Sequence, residues 1–313
     1  MDNIWDKYPT LYHYTSFDAA KKIIKNQTLW ATHYEHLNDS TEFYFFKEIF
    51  APKIILPRLK EFFVNYKEYI DQEKLALLGE LEPYYIEESE ILANAMYKAL
   101  QGSSLFISSF CGEHKEEYSK HNGLLSQWRA YGNPDGCILV FDTQELFNIL
   151  KSESEKYHGD CGIYEAIYGE NDPILNEATY EKWENDLSDY VANVIKSVYL
   201  KQPEADAENA WRPFVGFASS YKHPAFHEEK EARIAILNLT FGGEGKEAWP
   251  TQKRGESIEY IELFSSPETK IPIKRIIVGP YAGKEHRARE LSTLAQEVYG
   301  HKLDVTLSET PLK

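Results

Sequence analysis

The order of apolar and polar positions at the start of the chain changes period twice within about thirty residues. Leu11 to Thr15 is a short run of β-formers. Thr15 and Asp18 then fit a T-x-x-D start for a helix whose Ala19, Ala20, Ile23 and Ile24 recur at helical spacing. After the Asn26-Gln27 break, Leu29 to Thr32 reads as a second strand, so the chain opens strand, helix, strand. Asn38 or Asp39 is placed to cap a further helix carrying Phe43, Phe46 and Phe50. From about Pro57 to Gln101 the pattern is helical and rich in charge, with Ile91, Ala95 and residues 97–100 on an apolar face. Ser104 to Cys111 is a strong strand, and Gly123 to Tyr131 a short helix broken by the sequence GNPDG. Cys137 to Phe141 is a continuous apolar run, the pattern of a strand buried on both faces.

The second half continues the mixture. Glu145 to Leu150 is helical, Gly162 to Tyr168 a strand, and Asn176 to about Ser220 mostly helical with interruptions near Pro203 and Pro213. Glu231 to Leu239 and Ile258 to Phe264 read as strands. The tail gives a strand at Arg275 to Val278, a helix at Lys284 to Tyr299 and a strand at Leu303 to Leu307. The expected class is α+β, with a mixed or antiparallel central sheet. No repeat or long linker cuts the chain. The expectation is one domain over residues 1–313, with a helical insertion at about 52–102 and a C-terminal strand-helix-strand at about 274–308.

Composition narrows the function. The apolar fraction is 42% and the aromatic fraction 14%, which is a folded composition. Acids outnumber bases by 50 to 34, a formal charge of −16, so the field repels phosphate backbones and no extended nucleic-acid surface is expected. Cys111, Cys137 and Cys161 are odd in number and widely spaced, which points to unpaired thiols and a cytoplasmic setting. The first residues lack the basic head and apolar stretch of a signal peptide, and no apolar run is long enough to span a bilayer.

The sequence carries no GxGxxG, GxxxxGK[ST], HExxH or GxSxG. Four constellations remain. In a strand, His13 shares a face with Leu11 and Thr15, while Tyr12 and Tyr14 face the other way; a histidine so placed is either a satisfied core residue or a site residue. Glu229, Glu231 and Arg233 are expected on one face at the entrance of a strand, either as a charge ladder or as a glutamate fixing a ribose hydroxyl or carrying a proton. Trp128 and Tyr131, three apart on a helix, are expected on one face, as core or as a platform for a flat ring. His33-x-x-His36 with Asn38, Asp39 and Glu42 nearby is compatible with a metal, but the spacing is not diagnostic, the same residues can cap a helix, and no metal is assigned.

These segments, in this order, resemble a bacterial family known only as domain of unknown function 2971. The matching pieces are LYHYTS, LWAT and LND-x-x-E, then SFC, SQWRAYG with GCILVF, FHEEKEARI, and IIVGP. More distantly, the strand with LYHYT, the amphipathic helix and the strand with LWAT resemble the first elements of ADP-ribosyltransferase-like folds. That resemblance implies a first-strand residue, His13, against the ribose of NAD. It implies a late key glutamate, Glu231 with Glu229, and a serine-bearing strand at Ser108 and Ser109. Tyr131 is the implied stacking aromatic. Tyr14, Thr15, Trp128 and Arg233 complete the implied cofactor-binding set.

The leading expectation is an NAD-using transferase or NAD glycohydrolase, a toxin or defence effector, in which a carboxylate stabilises charge developing at the anomeric carbon. The alternative is a non-catalytic module that senses or binds a nucleotide-like ligand. A metal-dependent nuclease or hydrolase ranks third. Convergence of His13, Tyr131 and Glu231 on one cleft separates the first two.

Overall fold

The structure, a computed structural model, describes residues 3–37, 48–101, 104–132, 134–169, 171–201, 207–238, 246–255, 257–266 and 268–311. The helix expected after Asn38 or Asp39 begins outside these residues. The chain divides into two compact units, one of Leu37–Ser104 and Ile167–Phe226, the other of Asp2–His36, Leu105–Ala166 and His227–Lys313.

The first unit is helical. It holds the helices Leu56–Asn65, Gln72–Leu78 and Leu81–Gln101, joined by Ala178–Leu200 and Ala207–Ser220 from further along the chain. The charged pattern read as one long helical region is cut where the chain supplies its own punctuation. Asp71 caps the middle helix by accepting the amides of Glu73 and Lys74, and Gly79 closes it with a left-handed turn. Packing across the two stretches is aromatic: Tyr199 lies 5.2 Å from the Phe62 ring and 5.1 Å from that of Phe63. Arg58 fixes the same contact from the polar side, donating to Ser188 at 2.7 Å.

The second unit carries an eleven-stranded mixed sheet, and the class is α+β as expected. Its main path runs β11 (Asp304–Leu307), β10 (Ile273–Val278), β4 (Cys137–Asp142), β1 (Thr10–Thr15), β3 (Ser104–Gly112), β2 (Leu29–His33), β9 (Ile258–Leu263), β8 (Thr251–Arg254). β6 (Glu231–Asn238) pairs with β3 and with β5 (Tyr157–Glu165), which also takes the short β7 (Glu247–Ala248). Most pairings are antiparallel, but β10 and β11 run parallel, joined through the helix Lys284–Tyr299, so the C-terminal strand-helix-strand is present. Helices α1 (Ile4–Lys7), α2 (Phe17–Asn26), α3 (Glu117–Asn122), α4 (Thr143–Ser154) and α5 (Lys284–Tyr299) flank this sheet in sequence.

Strand alternation assigns the two faces. Leu11, Phe106, Phe110, Leu139, Ala232 and Ile234 belong to one large core with residues of α2, α4 and α5. Tyr12, Tyr14, Cys111, Ile138, Val140 and Ile277 form a second cluster on the opposite side. β4 contributes to both, which is why CILVF is apolar at every position.

Several boundaries differ from expectation, two of them for reasons that pairing and capping show directly. The cap of α2 is Ser16, whose hydroxyl accepts the Ala19 amide at 3.2 Å; Thr15 stays in β1, paired with Cys137. β5 begins five residues before Gly162, because register against β6 extends the ladder through the polar stretch Gly159 and Asp160. The edge strand β8 is wholly exposed and has no apolar residue, so it left no hydrophobic signal.

Trp128 joins several elements of this unit. Its side chain is fully buried, lies edge-on to Tyr14 at 5.3 Å, and donates its indole N–H to the Asn122 carbonyl at 2.8 Å. The same carbonyl accepts the hydroxyls of Ser308 at 2.7 Å and Thr310 at 3.1 Å, which ties the segment after β11 to the indole. The main chain has to approach the ring closely. A Cβ at Gly132 would stand 2.6 Å from the indole, and one at Gly279 would stand 2.9 Å from it and 2.6 Å from the Gly136 carbonyl. Backbone cannot yield as a long side chain does. Gly279→Ala is therefore expected to cost about 2 kcal/mol through overpacking, read as a lower urea midpoint at unchanged slope; an unchanged midpoint would contradict this seat for Trp128.

Candidate functional site

The expected site residues all lie in the second unit, on β1, β3, β6, the 3-10 turn before β6 and the turn after α3, but they do not form one cluster. His13 lies across β3 on the large-core side, with its ring 5.4 Å from that of Phe110. Alternation along β6 sends Ala232 and Ile234 to that same side, and therefore Glu231 and Arg233 to the other. His13 and Glu231 thus occupy opposite faces of the sheet, which corrects the expected convergence. The two odd-numbered strand positions looked alike in sequence, and only the pairing through β3 relates their faces.

The Glu229-Lys230-Glu231 alternation is also interrupted. Glu229 ends a 3-10 turn, Pro224–Glu229, and Lys230 takes φ 45°, so Glu229 is not a strand residue and its direction is uncoupled from that of Glu231. The Lys230 carbonyl accepts the Gly112 amide at 2.8 Å, which holds this bend against the end of β3. Beyond it every residue of β6 is buried. The Arg233 guanidinium grips Glu231 with two bonds, Nε to Oε1 at 2.9 Å and Nη2 to Oε2 at 3.2 Å. The charge ladder on an exposed face is thus a bidentate pair at 3% and 2% exposure.

Trp128 and Tyr131 do not share a face either. Residues Trp128–Gly132 form a π turn, which is wider than an α turn and rotates less per residue. Three positions on, the direction has diverged: Trp128 is buried and Tyr131 is 39% exposed. Tyr14 is likewise a framework group. Its hydroxyl accepts the Leu124 amide at 2.8 Å, and burial, with the nearby Cys111 thiol adding, pushes its pKa well above the usual tyrosine value. Cys111 in turn meets Gln127 Oε1 at 3.4 Å, and none of Cys111, Cys137 and Cys161 is in a disulfide. Among the described residues no group of three potential metal ligands is found; His33 and His36 stand with ring centroids 6.0 Å apart, and Asn38, Asp39 and Glu42 lie outside them.

What the structure does bring together is His13 and Ser109. β1 and β3 share two register pairs, Leu11 with Gly112 and Tyr12 with Cys111, and β1 then continues along β4 alone. Where the two strands part, His13 Nδ1 lies 3.1 Å from the Ser109 carbonyl oxygen. A carbonyl only accepts, so Nδ1 carries the proton and Nε2 is left as a lone-pair acceptor. Burial lowers the His13 pKa, partly opposed by that same bond, so the ring is neutral at pH 7. Ser108 is buried on the large-core side, whereas the Ser109 side chain is exposed on the other. The fork therefore presents a neutral imidazole acceptor on one face of the sheet, while the Ser109 hydroxyl projects from the opposite face.

Linkage fixes the pH behaviour of this arrangement. With its folded pKa below the ordinary value of about 6.5, His13 contributes stability above that pH, and the contribution is lost as pH falls toward the folded value. His114, lowered by burial and by Lys230, adds a slope of the same sign. His13→Gln is expected to make the drop in urea midpoint between pH 7.5 and 5.5 smaller than in the parent, with the His114 share remaining. An equal drop would contradict a proton-free His13 in the fold.

One family model, described as a protein of unknown function (DUF2971), matches residues 127–234. No curated protein and no solved structure matches the chain. Over that stretch, roughly a third of the chain, running from Gln127 and the Trp128 turn through β4 and β5 to the Glu231–Arg233 pair, the protein is similar to this family of unknown function.

Proposed function

We propose that the second unit is a binding module for a nucleotide-like small molecule, held at the fork between β1 and β3 and not consumed there. The observation that carries this reading is the His13 bond to the Ser109 carbonyl where the strands part. It fixes the imidazole in one tautomer and orientation, with Nε2 free to accept from a ribose hydroxyl or an amide N–H. NAD is the first ligand to test, because its nicotinamide amide and ribose offer both kinds of donor.

Glu231 argues for binding without cleavage. A carboxylate that stabilises a developing cation has to be unopposed at the reacting carbon. The Glu231 carboxylate is already neutralised by a two-bonded guanidinium. The competing reading, NAD cleavage by a transferase or glycohydrolase with Glu231 as key residue, is favoured by one feature: alternation puts Ser109 and Glu231 on the same side of the sheet.

One pair of variants separates the two. NAD is expected to raise the melting temperature of the parent without release of nicotinamide, and His13→Ala is expected to abolish that rise. Glu231→Gln is expected to retain the rise while lowering stability by about 3 kcal/mol, since it removes the carboxylate charge from a buried two-bonded ion pair. Nicotinamide release by the parent, lost in Glu231→Gln at preserved folding, would overturn the module and establish the enzyme.

A further inference from the structure

The chain carries a net charge of −16, yet one groove on the second unit has four Lys or Arg side chains in its lining against three Asp or Glu. It runs between α2 and α5, has a volume of about 860 Å³, and lies outside the fork. From α2 it takes Lys21, Lys22 and Lys25; from α5, His286 and Arg289. Lys21 is neutralised inside the groove, 3.1 Å from Glu290 and 3.3 Å from Asp18. Those two acids are thereby engaged. Among the described residues no carboxylate comes within 4.0 Å of the Lys22 or Lys25 ammonium or the Arg289 guanidinium, and Glu297 is the one acid of the lining left over.

The placement of the α5 cations strengthens the anomaly. Lys284, His286, Arg287 and Arg289 lie in its first turns, where the helix dipole disfavours cations; Glu285 is the acid there, Lys284 donates to the Ser308 carbonyl and Arg287 to those of Ala282 and Tyr281. Its N-cap is Gly283, with no side chain accepting the first amides. An anion bound beside His286 and Arg289 offsets their unfavourable position in the helix dipole. Leu294 and the lysine stems supply an apolar floor beside the charges.

We propose that this groove binds a small anion bearing two or more linked phosphoryl groups, with Lys22, Lys25 and Arg289 as its charge partners. Size and field select the class. The volume falls within the range of about 300–1,000 Å³ typical of small-molecule sites. An extended polyanion such as RNA has to approach through the negative field of the whole chain, whereas a compact one is governed by charges within a Debye length of about 8 Å. The groove is independent of the fork, and its test is arranged to fail independently.

The test is calorimetric titration of the intact chain with inorganic tripolyphosphate at physiological ionic strength. Saturable binding to one site is expected, weakened by roughly tenfold or more in the double variant Lys25→Glu/Arg289→Glu, since each charged contact contributes at least that much. The milder Lys25→Gln/Arg289→Gln pair guards against a folding defect and is expected to weaken binding in the same direction. His13→Ala is expected to bind tripolyphosphate as the parent does. Absence of saturable binding, equal affinity in both double variants, or tighter binding of a short single-stranded RNA would each overturn the proposal.

Discussion

The buried indole of Trp128 is the contact on which the arrangement of the second unit depends. Tyr14 of β1, Ile138 of β4, Ile277 of β10 and the Asn122 carbonyl at the end of α3 all meet it or its cluster. The Tyr281 hydroxyl closes the ring from the C-terminal side by donating to the Trp128 carbonyl at 2.7 Å. A group this large, with one polar atom, is inexpensive to bury only if that atom finds a partner and the surrounding backbone comes close. Asn122 meets the first requirement, and Gly132 and Gly279 meet the second. Anchored there, β1 runs the full length of β4, so its departure from β3 after Tyr12 has a fixed position. The fork that carries His13 and Ser109 is a consequence of this seat.

The same constraint accounts for motifs that looked chemical in sequence. SQWRAYG, GCILVF and IIVGP converge on one indole, supplying the ring, the strand beneath it and the glycines that let backbone approach. Their spacing serves packing. The charge pair at Glu231 and Arg233 has a similar character: two buried ions with two bonds between them fix the entry of β6, and removing either partner is far costlier than replacing both.

Much of the architecture was legible because period and punctuation agreed. The helix Lys284–Tyr299 matches its expected bounds, and CILVF reads as a doubly buried strand because two cores draw on it. The site was less legible for three physical reasons. Lys230 adopts a left-handed conformation with no glycine to announce it, so the E-x-E alternation failed. The π turn at Trp128–Gly132 changes the angle between residues without changing their spacing. The pairing of His13 with the Ser109 carbonyl depends on where two strands separate, which no local pattern encodes. Asn122, which holds three donors on its carbonyl, carried no signal beyond the glycine that follows it.

The central claim is that a neutral, Nδ1-protonated His13 offers its other nitrogen to a ligand at the fork. Nitrogen-15 NMR of the imidazole, with His13 assigned by its loss in a His13 variant, reads both facts in one titration with NAD. The account predicts a neutral Nδ1–H tautomer at pH 7 and a shift confined to Nε2 as intact NAD is added. A protonated ring, the opposite tautomer, or an Nε2 resonance that does not move at saturating NAD would contradict it.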